Sequence, residues 1–496
     1  MRAATILGTL AVAALAACDS DATCPEGQVE CAGRCVALAT DPLNCGACGV
    51  ACGPGATCGA GACGCGPGTV LCGATCAQLE SDPDHCGACG SACRDAQVCS
   101  SAGGAAACAD ACGEGQVACG RACVELAFDR YHCGACGTVC QPGEACDAGT
   151  CRSLQVACFA TDDVRPIAPD LAAAGSPRPA GDGPIALAAL GGDVWAAAAL
   201  SGSVIRLPLD LSAPPVEHAL HGSDLEGIAA ASDRLLVSNS GGGSVAVVDP
   251  VTGRVLDDVL IPGLPGANPR GIAVLDGKAY VALYGRDEAS GGQGVAVLDL
   301  SRLAGCAAAP CATVERVVDL RGAADAGGLP FPGKAVAAGG RAWITIANLA
   351  RDTDPASWTY GYYVKPAGPG RLAALDGTSD AVQLVSLGDG CRNPGALAVD
   401  GATLWVSCGA AGAAGLVPVD VSDPRAPVVG PVLATAFDAP GAVAICRGAG
   451  FVADQYTGRV QRFDPVTRTS EETVTACPVG AQGWAWAADL LCAPAR

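Results

Sequence analysis

The sequence has 496 residues, 33 of them cysteine, and a formal net charge of −20. A chain this acidic lacks the basic face that nucleic-acid phosphates require, which excludes nucleic acid as a partner. Twenty-six cysteines precede residue 159, and so dense a set persists only in a compartment where disulfides can form.

The N-terminal residues predict an export signal followed by a short tether. Residues 1–17 contain an apolar run that is too short to span a bilayer as a helix. The Leu-Ala-Ala-Cys at residues 15–18 resembles a bacterial lipobox, which implies lipidation of Cys18 and a tether over residues 18–23. The lipid on Cys18 would then be the only membrane attachment. The alternative is an ordinary signal peptide that leaves Cys18 as an odd thiol.

Twenty-four cysteines form three repeats of eight, at residues 24–63, 65–108 and 112–151. The gaps between successive cysteines are 7, 4, 10, 3, 4, 6 and 5, except that the second repeat ends with a gap of 9. Each repeat is too small and too poor in large apolar side chains to fold by its core alone. The even count predicts four disulfides in each repeat, and their connectivity stays open.

Each repeat contains a Cys-Gly-Ala-Cys motif, which could also be a redox dithiol or half a zinc site. His85 and His132 precede the motif as ligands might, but Asn44 takes their place in the first repeat. We therefore interpret the cysteines as structural disulfides and predict no metal. The pattern resembles cysteine-rich repeats in surface proteins and lipoproteins of Gram-negative bacteria. The resemblance implies a spacer on the periplasmic face or cell surface of the envelope.

Residues 152–496 repeat a different pattern, in which a glycine opens an apolar strand seven times. These glycines are Gly183, Gly227, Gly271, Gly333, Gly395, Gly441 and Gly483. An apolar strand that ends in aspartate follows six of them. These aspartates, which we expect to form turns, are Asp210, Asp249, Asp299, Asp376, Asp420 and Asp464.

The period of the repeat predicts an all-β fold, a seven-bladed β-propeller with four strands per blade. The segment after Gly483 has room for two strands only, so we expect the residues around Asp162 to supply the third and fourth strands of the last blade. That arrangement closes the ring and removes free sheet edges. The segment RLLVSNSGGGSVAVVDPVTGRV resembles the YVTN-type propeller repeats of bacterial envelope proteins, and the resemblance extends over residues 154–496.

Eight cysteines lie outside the repeats and Cys18. The predicted topology brings Cys158 beside Cys492 across the seam of the ring, and Cys391 beside Cys408 within blade five. Cys306 with Cys311 would close a loop after blade three, which leaves Cys446 and Cys477 as a pair by elimination.

The loops before the first strands share one face with the loops between the second and third strands, and ligands of propellers usually bind there. The polar residues at this mouth are candidate binding residues, although mixed polarity is also ordinary for a solvated surface. The positions at the mouth are Asp182, Glu226, Arg270, Pro332, Asn393, Asp438 and Gln482.

Two insertions lie on the same face, GRDEASGGQ in blade three and SWTYGYYVKPAGPG in blade four. The second holds Trp358, Tyr360, Tyr362 and Tyr363. Exposed Tyr and Trp are typical of binding hot spots, while a loop folded back as a lid is the other interpretation.

No catalytic motif and no cofactor motif are recognisable, so we predict no catalytic residues and no cofactor. The sequence favours a non-enzymatic envelope lipoprotein that displays a propeller to bind an unknown protein or glycan. The alternative is a propeller hydrolase or lactonase with a metal or polar ligand in its central funnel.

Overall fold

The computed structural model describes residues 24–493 apart from 25–26, 32–33, 42, 54–55, 66–68, 74, 102–104, 141–143, 148, 172–173, 210–212, 221, 223, 263–265, 290–291, 378, 380, 411 and 447. The signal sequence, Cys18, the tether and Asp210 lie outside the described residues. The chain divides into two compact units, residues 1–125 and 126–496. Within the described ranges there is no α-helix, and no helix is long and apolar enough to cross a membrane.

The cysteine repeats form short strands joined by tight turns. In the first unit these strands are Val29–Cys31, Arg34–Val36, Ala56–Gly59, Ala62–Cys65, Val70–Cys72, Thr75–Ala77, Val98–Ser100, Ala107–Ala109, Val117–Cys119 and Ala122–Val124. The second unit begins with the hairpin Ala145–Asp147 and Thr150–Arg152.

Disulfides connect the cysteines in the same order from repeat to repeat. In the first two repeats the first cysteine pairs with the third, the second with the fifth, the fourth with the seventh and the sixth with the eighth, and the three bonds described in the third repeat follow the same order. In the first repeat the pairs are Cys24–Cys35, Cys31–Cys48, Cys45–Cys58 and Cys52–Cys63. In the second they are Cys65–Cys76, Cys72–Cys89, Cys86–Cys99 and Cys93–Cys108. The third has Cys112–Cys123, Cys133–Cys146 and Cys140–Cys151, and its Cys119 and Cys136 are disulfide-bonded as well.

This connectivity settles the role of the Cys-Gly-Ala-Cys motif. Its two cysteines bond to different partners in the first and second repeats, so the motif does not form its own dithiol bridge. The preceding side chain is a turn cap. Nδ1 of His85 accepts a hydrogen bond from the backbone N–H of Gly90 at 2.9 Å, and Oδ1 of Asn44 accepts the equivalent bond from Gly49 at 2.8 Å. Asparagine can replace histidine because only one acceptor atom is needed.

Apart from three strands that form a small separate sheet, the remaining strands build seven four-stranded antiparallel sheets, the blades. Blade one consists of Pro184–Leu190, Asp193–Ala198, Ser203–Leu207 and Val216–Ala219. Blade two consists of Leu225–Ala231, Arg234–Asn239, Ser244–Val248 and Val255–Leu260. Blade three consists of Pro269–Leu275, Lys278–Leu283, Gly294–Asp299 and Thr313–Asp319. Blade four consists of Pro332–Ala338, Arg341–Ile346, Arg371–Leu375 and Val382–Ser386. Blade five consists of Pro394–Asp400, Thr403–Ala410, Ala413–Asp420 and Val428–Val429. Blade six consists of Pro440–Cys446, Ala449–Asp454, Arg459–Asp464 and Thr469–Thr475. Blade seven has the order Ala487–Cys492, Leu154–Cys158, Asp163–Ile167 and Arg178–Pro179. Two short 3-10 turns are Phe159–Thr161 and Arg321–Ala323.

The core of the propeller lies between blades. Each pair of neighbouring blades, including seven and one, shares a cluster of buried apolar side chains. The second strands are buried almost throughout, because both faces of each sheet are covered by the adjacent blades. The seven-bladed fold that the repeat predicts is confirmed, and the ring is closed by the N-terminal strands.

The strand distribution in blade seven differs from the prediction of two strands from each end. The C-terminal segment supplies only the innermost strand, and the N-terminal segment supplies the other three. Gly483 lies in a turn with φ of +82°, and the strand begins at Ala487. Leu154–Cys158 is buried throughout, as second strands are in the other blades, and this burial explains its place next to the inner strand.

The strand order of blade seven also makes two predicted disulfides wrong, Cys158–Cys492 and Cys446–Cys477. Cys158 lies opposite Ala487, while Cys492 lies opposite Leu154 at the far end of the strand pair. Cys158 therefore bonds to Cys477, and Cys492 bonds to Cys446 at the end of the inner strand of blade six. The pairs Cys306–Cys311 and Cys391–Cys408 form as expected.

The five described aspartates after the third strands form turns as predicted. Oδ1 of Asp249 accepts a hydrogen bond from the N–H of Val251, and Oδ1 of Asp464 accepts bonds from the N–H groups of Thr467 and Val466. These bonds to the ionised form lower the pKa of both carboxyl groups. Asp162 follows a second strand, so it lies on the opposite face from those turns, where it accepts a bond from the N–H of Gly183 at 2.9 Å.

Candidate functional site

A funnel opens where the seven innermost strands meet. In blades one to six, the register of each innermost strand shifts near its start, which is the mark of a β-bulge. A bulge turns a side chain away from the regular alternation of the strand. Side chains at the starts of the innermost strands therefore line a cavity of about 300 Å³, and every blade contributes residues to its lining.

The structure brings together part of the predicted mouth. Glu226, Arg270 and Asn393 line the cavity, whereas Asp182, Asp438 and Gln482 are exposed and do not line it. Pro332 is buried at the start of its strand. The two carboxylates Glu226 and Asp438 therefore do not meet in the funnel.

Four further lining or funnel residues were missed by the sequence reasoning. Lys334 directly follows Gly333, the strand-opening glycine of blade four, and stands two positions after the predicted Pro332. Tyr284 follows the second strand of blade three, and Trp486 precedes the inner strand of blade seven. Asp489 faces Lys334, and the misassigned strand order of blade seven concealed it.

The charged groups of the funnel form two loose pairs. Arg270 Nη2 lies 3.5 Å from Glu226 Oε1, and Lys334 Nζ lies 3.7 Å from Asp489 Oδ1. Burial raises the pKa of the Glu226 carboxyl and Asp224 adds to this, while Arg270 and Lys334 oppose it. Both cations therefore act on the carboxyl of Glu226.

The insertion of blade four forms a small sheet of its own. Gly328–Leu329, Leu349–Arg351 and Tyr363–Pro366 pair in an antiparallel sheet beside the blade. Tyr363 packs against Phe331 with ring centroids 5.4 Å apart, and its hydroxyl donates to Glu288 of the blade-three insertion. Tyr363 therefore anchors the insertion, as the lid interpretation expected.

The other three aromatic residues are exposed. The exposed fractions of Trp358, Tyr360 and Tyr362 are 93%, 57% and 68%. We define these three residues as the aromatic tip. They lie between Arg351 and Tyr363, where the small sheet returns on itself.

The aromatic tip is held in place from within by Asp352, which is only 2% exposed. Its carboxylate accepts hydrogen bonds from the Thr359 hydroxyl and the N–H of Asp354, and Lys365 Nζ lies 3.6 Å away. The bonds from the side chains of Thr359 and Ser357 lower the pKa of Asp352 to about 2. The loop is therefore ordered by bonds that require an ionised carboxyl group.

Replacing Asp352 with alanine should loosen this loop and leave the blades intact, because the partners of the carboxylate lie in the loop and at Lys365. Amide hydrogen exchange at Asp354 and Gly361 should accelerate roughly tenfold, as expected for the loss of one or two charge-assisted bonds. Since the folded pKa is lowered, the stabilisation is complete above the ordinary value of about 4 and disappears as pH falls toward 2. Asp423→Ala, which removes a single turn bond to Arg425, is the control. Equal exchange in both variants would contradict the role of Asp352.

Comparisons with known proteins concern the two parts of the chain separately. A family model described as the stigma-specific STIG1-like protein family matches residues 100–154, within the cysteine-rich part. No curated protein matches the sequence at a significant level. The similar solved structures include a candidate 6-phosphogluconolactonase from Bacteroides fragilis, at 13% identity and a TM-score of 0.48 over 69% of this chain and 98% of that one. Virginiamycin B lyase from Staphylococcus aureus is similar at 10% identity and a TM-score of 0.40, over 58% and 83% of the two chains. At these identities the likeness concerns the fold and not the activity.

Proposed function

We propose that the protein is an envelope lipoprotein that displays its propeller as a non-enzymatic binding scaffold for a protein or glycan. Lipid on Cys18 would anchor it, and the three cysteine repeats would act as the spacer. The propeller, with repeats of the YVTN type, would present the aromatic tip to the partner. The observation that carries this proposal is the exposure of Trp358, Tyr360 and Tyr362 on a loop that Asp352 orders in advance.

A loop that is ordered before binding loses less conformational entropy when a partner docks. Tyr and Trp add large contact areas at a small cost in side-chain freedom, which is why they dominate hot spots. The funnel supports the enzymatic alternative less well. Its carboxylates Glu226 and Asp489 each lie beside a cation, which favours an organic ion over a coordinated metal.

Alanine at all three positions of the aromatic tip should abolish partner capture. Immobilised protein is exposed to solubilised envelope proteins and, in a separate arm, to a glycan array. The triple variant should weaken binding at least roughly a hundredfold, since each hot-spot residue contributes about 2 kcal/mol or more. Tyr456→Ala is the matched control, because Tyr456 is 71% exposed and lies outside the loop. An unchanged set of bound partners in the triple variant would refute the proposal.

The anchor is tested separately by replacing Cys18 with serine. Cells grown with labelled fatty acid should yield labelled protein from the parent sequence and none from Cys18→Ser, because serine offers no thiol to acylate. The variant should also move from the membrane fraction to the soluble fraction. If it stays with the membrane, Cys18 is not the anchor.

A further inference from the structure

The funnel has aromatic walls on two sides. Trp486 lines it from blade seven and packs against Phe159 with ring centroids 4.7 Å apart. On the side of blades three and four, Tyr284 and Phe331 line it with centroids 4.9 Å apart. Its volume of about 300 Å³ lies at the small end of the usual range for small-molecule sites. The cavity thus suits a ligand with one ring.

The cations of the funnel are loosely paired. The distances of 3.5 Å and 3.7 Å in its two ion pairs exceed those of charge-assisted hydrogen bonds. Elsewhere in the propeller, Arg371 lies 2.6 Å from Asp325 and Lys278 lies 2.7 Å from Glu315. Ion pairs at hydrogen-bonding distance therefore occur in this propeller. In the funnel, by contrast, both cations lie farther from their carboxylates and could bind another anion at a shorter distance.

Arg270 has further capacity to bind. Its guanidinium stacks over the ring of Tyr284, with the central carbon 3.9 Å from the ring centroid. This stacking fixes the plane of the guanidinium, and its buried Nε has no hydrogen-bond partner among the described residues. A buried donor without a partner costs free energy, which an incoming acceptor would recover. Planar, immobilised guanidinium groups are well suited to carboxylates.

We propose that the funnel binds a small carboxylate carried on a single ring, with the carboxylate held by Arg270 and Lys334 and the ring against the aromatic walls. The ring is that of an acidic sugar or of an aromatic acid, since both present a flat face to an aromatic side chain. Glu226 competes with the ligand for Arg270, whose Nη2 lies 3.5 Å from its carboxylate, and Asp489 competes in the same way for Lys334. This site is separate from the aromatic tip, so it does not depend on the scaffold proposal.

The competition gives variants with opposite effects. Glucuronate and benzoate are titrated into the intact protein by calorimetry, with glucose and benzamide as uncharged analogues. Both carboxylates, or one of them, should bind and the uncharged analogues should not. Arg270→Gln and Lys334→Gln should each weaken binding by roughly tenfold or more, as expected for a lost charge-assisted bond. Glu226→Gln should strengthen it by roughly threefold to tenfold, because a competing charge is removed.

Lys278→Gln is the matched control, since Lys278 pairs with Glu315 and does not line the funnel. Stronger binding of glucuronate assigns the site to acidic sugars, and stronger binding of benzoate assigns it to aromatic acids. The absence of binding by both carboxylates at millimolar concentration would overturn the proposal. A weakening in Glu226→Gln would overturn it as well, and this variant keeps the test valid if Arg270→Gln does not fold.

Discussion

Replacing both Cys158 and Cys477 with alanine is expected to lower the free energy of unfolding of the propeller by roughly 3–5 kcal/mol. The two cysteines are 319 residues apart in sequence, so their bond closes almost the entire ring. In the chain-entropy model, a loop of this length restricts the unfolded chain by about 5–6 kcal/mol, and strain in the folded state reduces the measured value.

The position of this disulfide adds a local effect. Strands Leu154–Cys158, Asp163–Ile167 and Arg178–Pro179 are hydrogen-bonded to the C-terminal inner strand only through the ladder between Leu154–Cys158 and Ala487–Cys492, and they also pack against blades six and one. Without the Cys158–Cys477 bond, these three strands can separate from the inner strand while the other six blades stay folded. We therefore expect the double variant to lose two-state unfolding, with amides of the N-terminal strands exchanging first.

Denaturant unfolding followed by hydrogen exchange measures both effects. The double variant Cys306→Ala with Cys311→Ala is the control, because that bond closes a loop with a separation of only 5 residues. The chain-entropy model gives about 2 kcal/mol for so short a loop. If both double variants had the same unfolding midpoint, the Cys158–Cys477 bond would have no role in closing the ring.

The repeat structure could be predicted from the sequence because each blade repeats local chemistry. Asp249 and Asp464 recur where a chain reversal needs a side-chain acceptor, and such turns depend on a few adjacent residues. The order of strands in blade seven could not be predicted this way. Ala487–Cys492 and Leu154–Cys158 are both short apolar strands, and their positions are fixed by burial between neighbouring blades rather than by their own residues.

The candidate sites were predicted to different extents for a related reason. The aromatic tip stands out in the sequence, since clustered Tyr and Trp in an insertion have no strand to pack in. The sequence could not show that Tyr363 packs inward while its neighbour Tyr362 is exposed. That difference depends on the strand pairing of Tyr363 with Arg351, which places Tyr363 against Phe331. In the funnel, the predicted Glu226 and Arg270 line the cavity, but in blade four the lining charge is Lys334, two positions after the predicted Pro332 and within the bulge between Pro332 and Ala335.

Alanine at Gly227 or Gly271 is expected to destabilise the propeller strongly, although both glycines lie in strands and neither requires a left-handed backbone. A Cβ atom at Gly227 would lie 2.3 Å from the carbonyl oxygen of Arg270, and one at Gly271 would lie 2.5 Å from the nitrogen of Ala335. Both contacts are with the backbone of the neighbouring blade, which cannot move aside without displacing its inner strand. Overpacking of this kind costs roughly 1–3 kcal/mol or more.

Gly395→Ala provides the matched control, because its nearest neighbour would be Ser407 Oγ at 3.5 Å, an ordinary contact distance. Alanine there should be neutral or stabilising by roughly 0.4–1 kcal/mol, since it restricts the unfolded chain without a clash. Thermal unfolding of the three single variants measures the difference. If the results are as expected, glycine is required at Gly227 and Gly271 because the inner strands of neighbouring blades approach closely there. At Gly395 the spacing between strands would not require glycine. Equal losses at all three positions would instead mean that the glycines act through strand conformation and not through the spacing between blades.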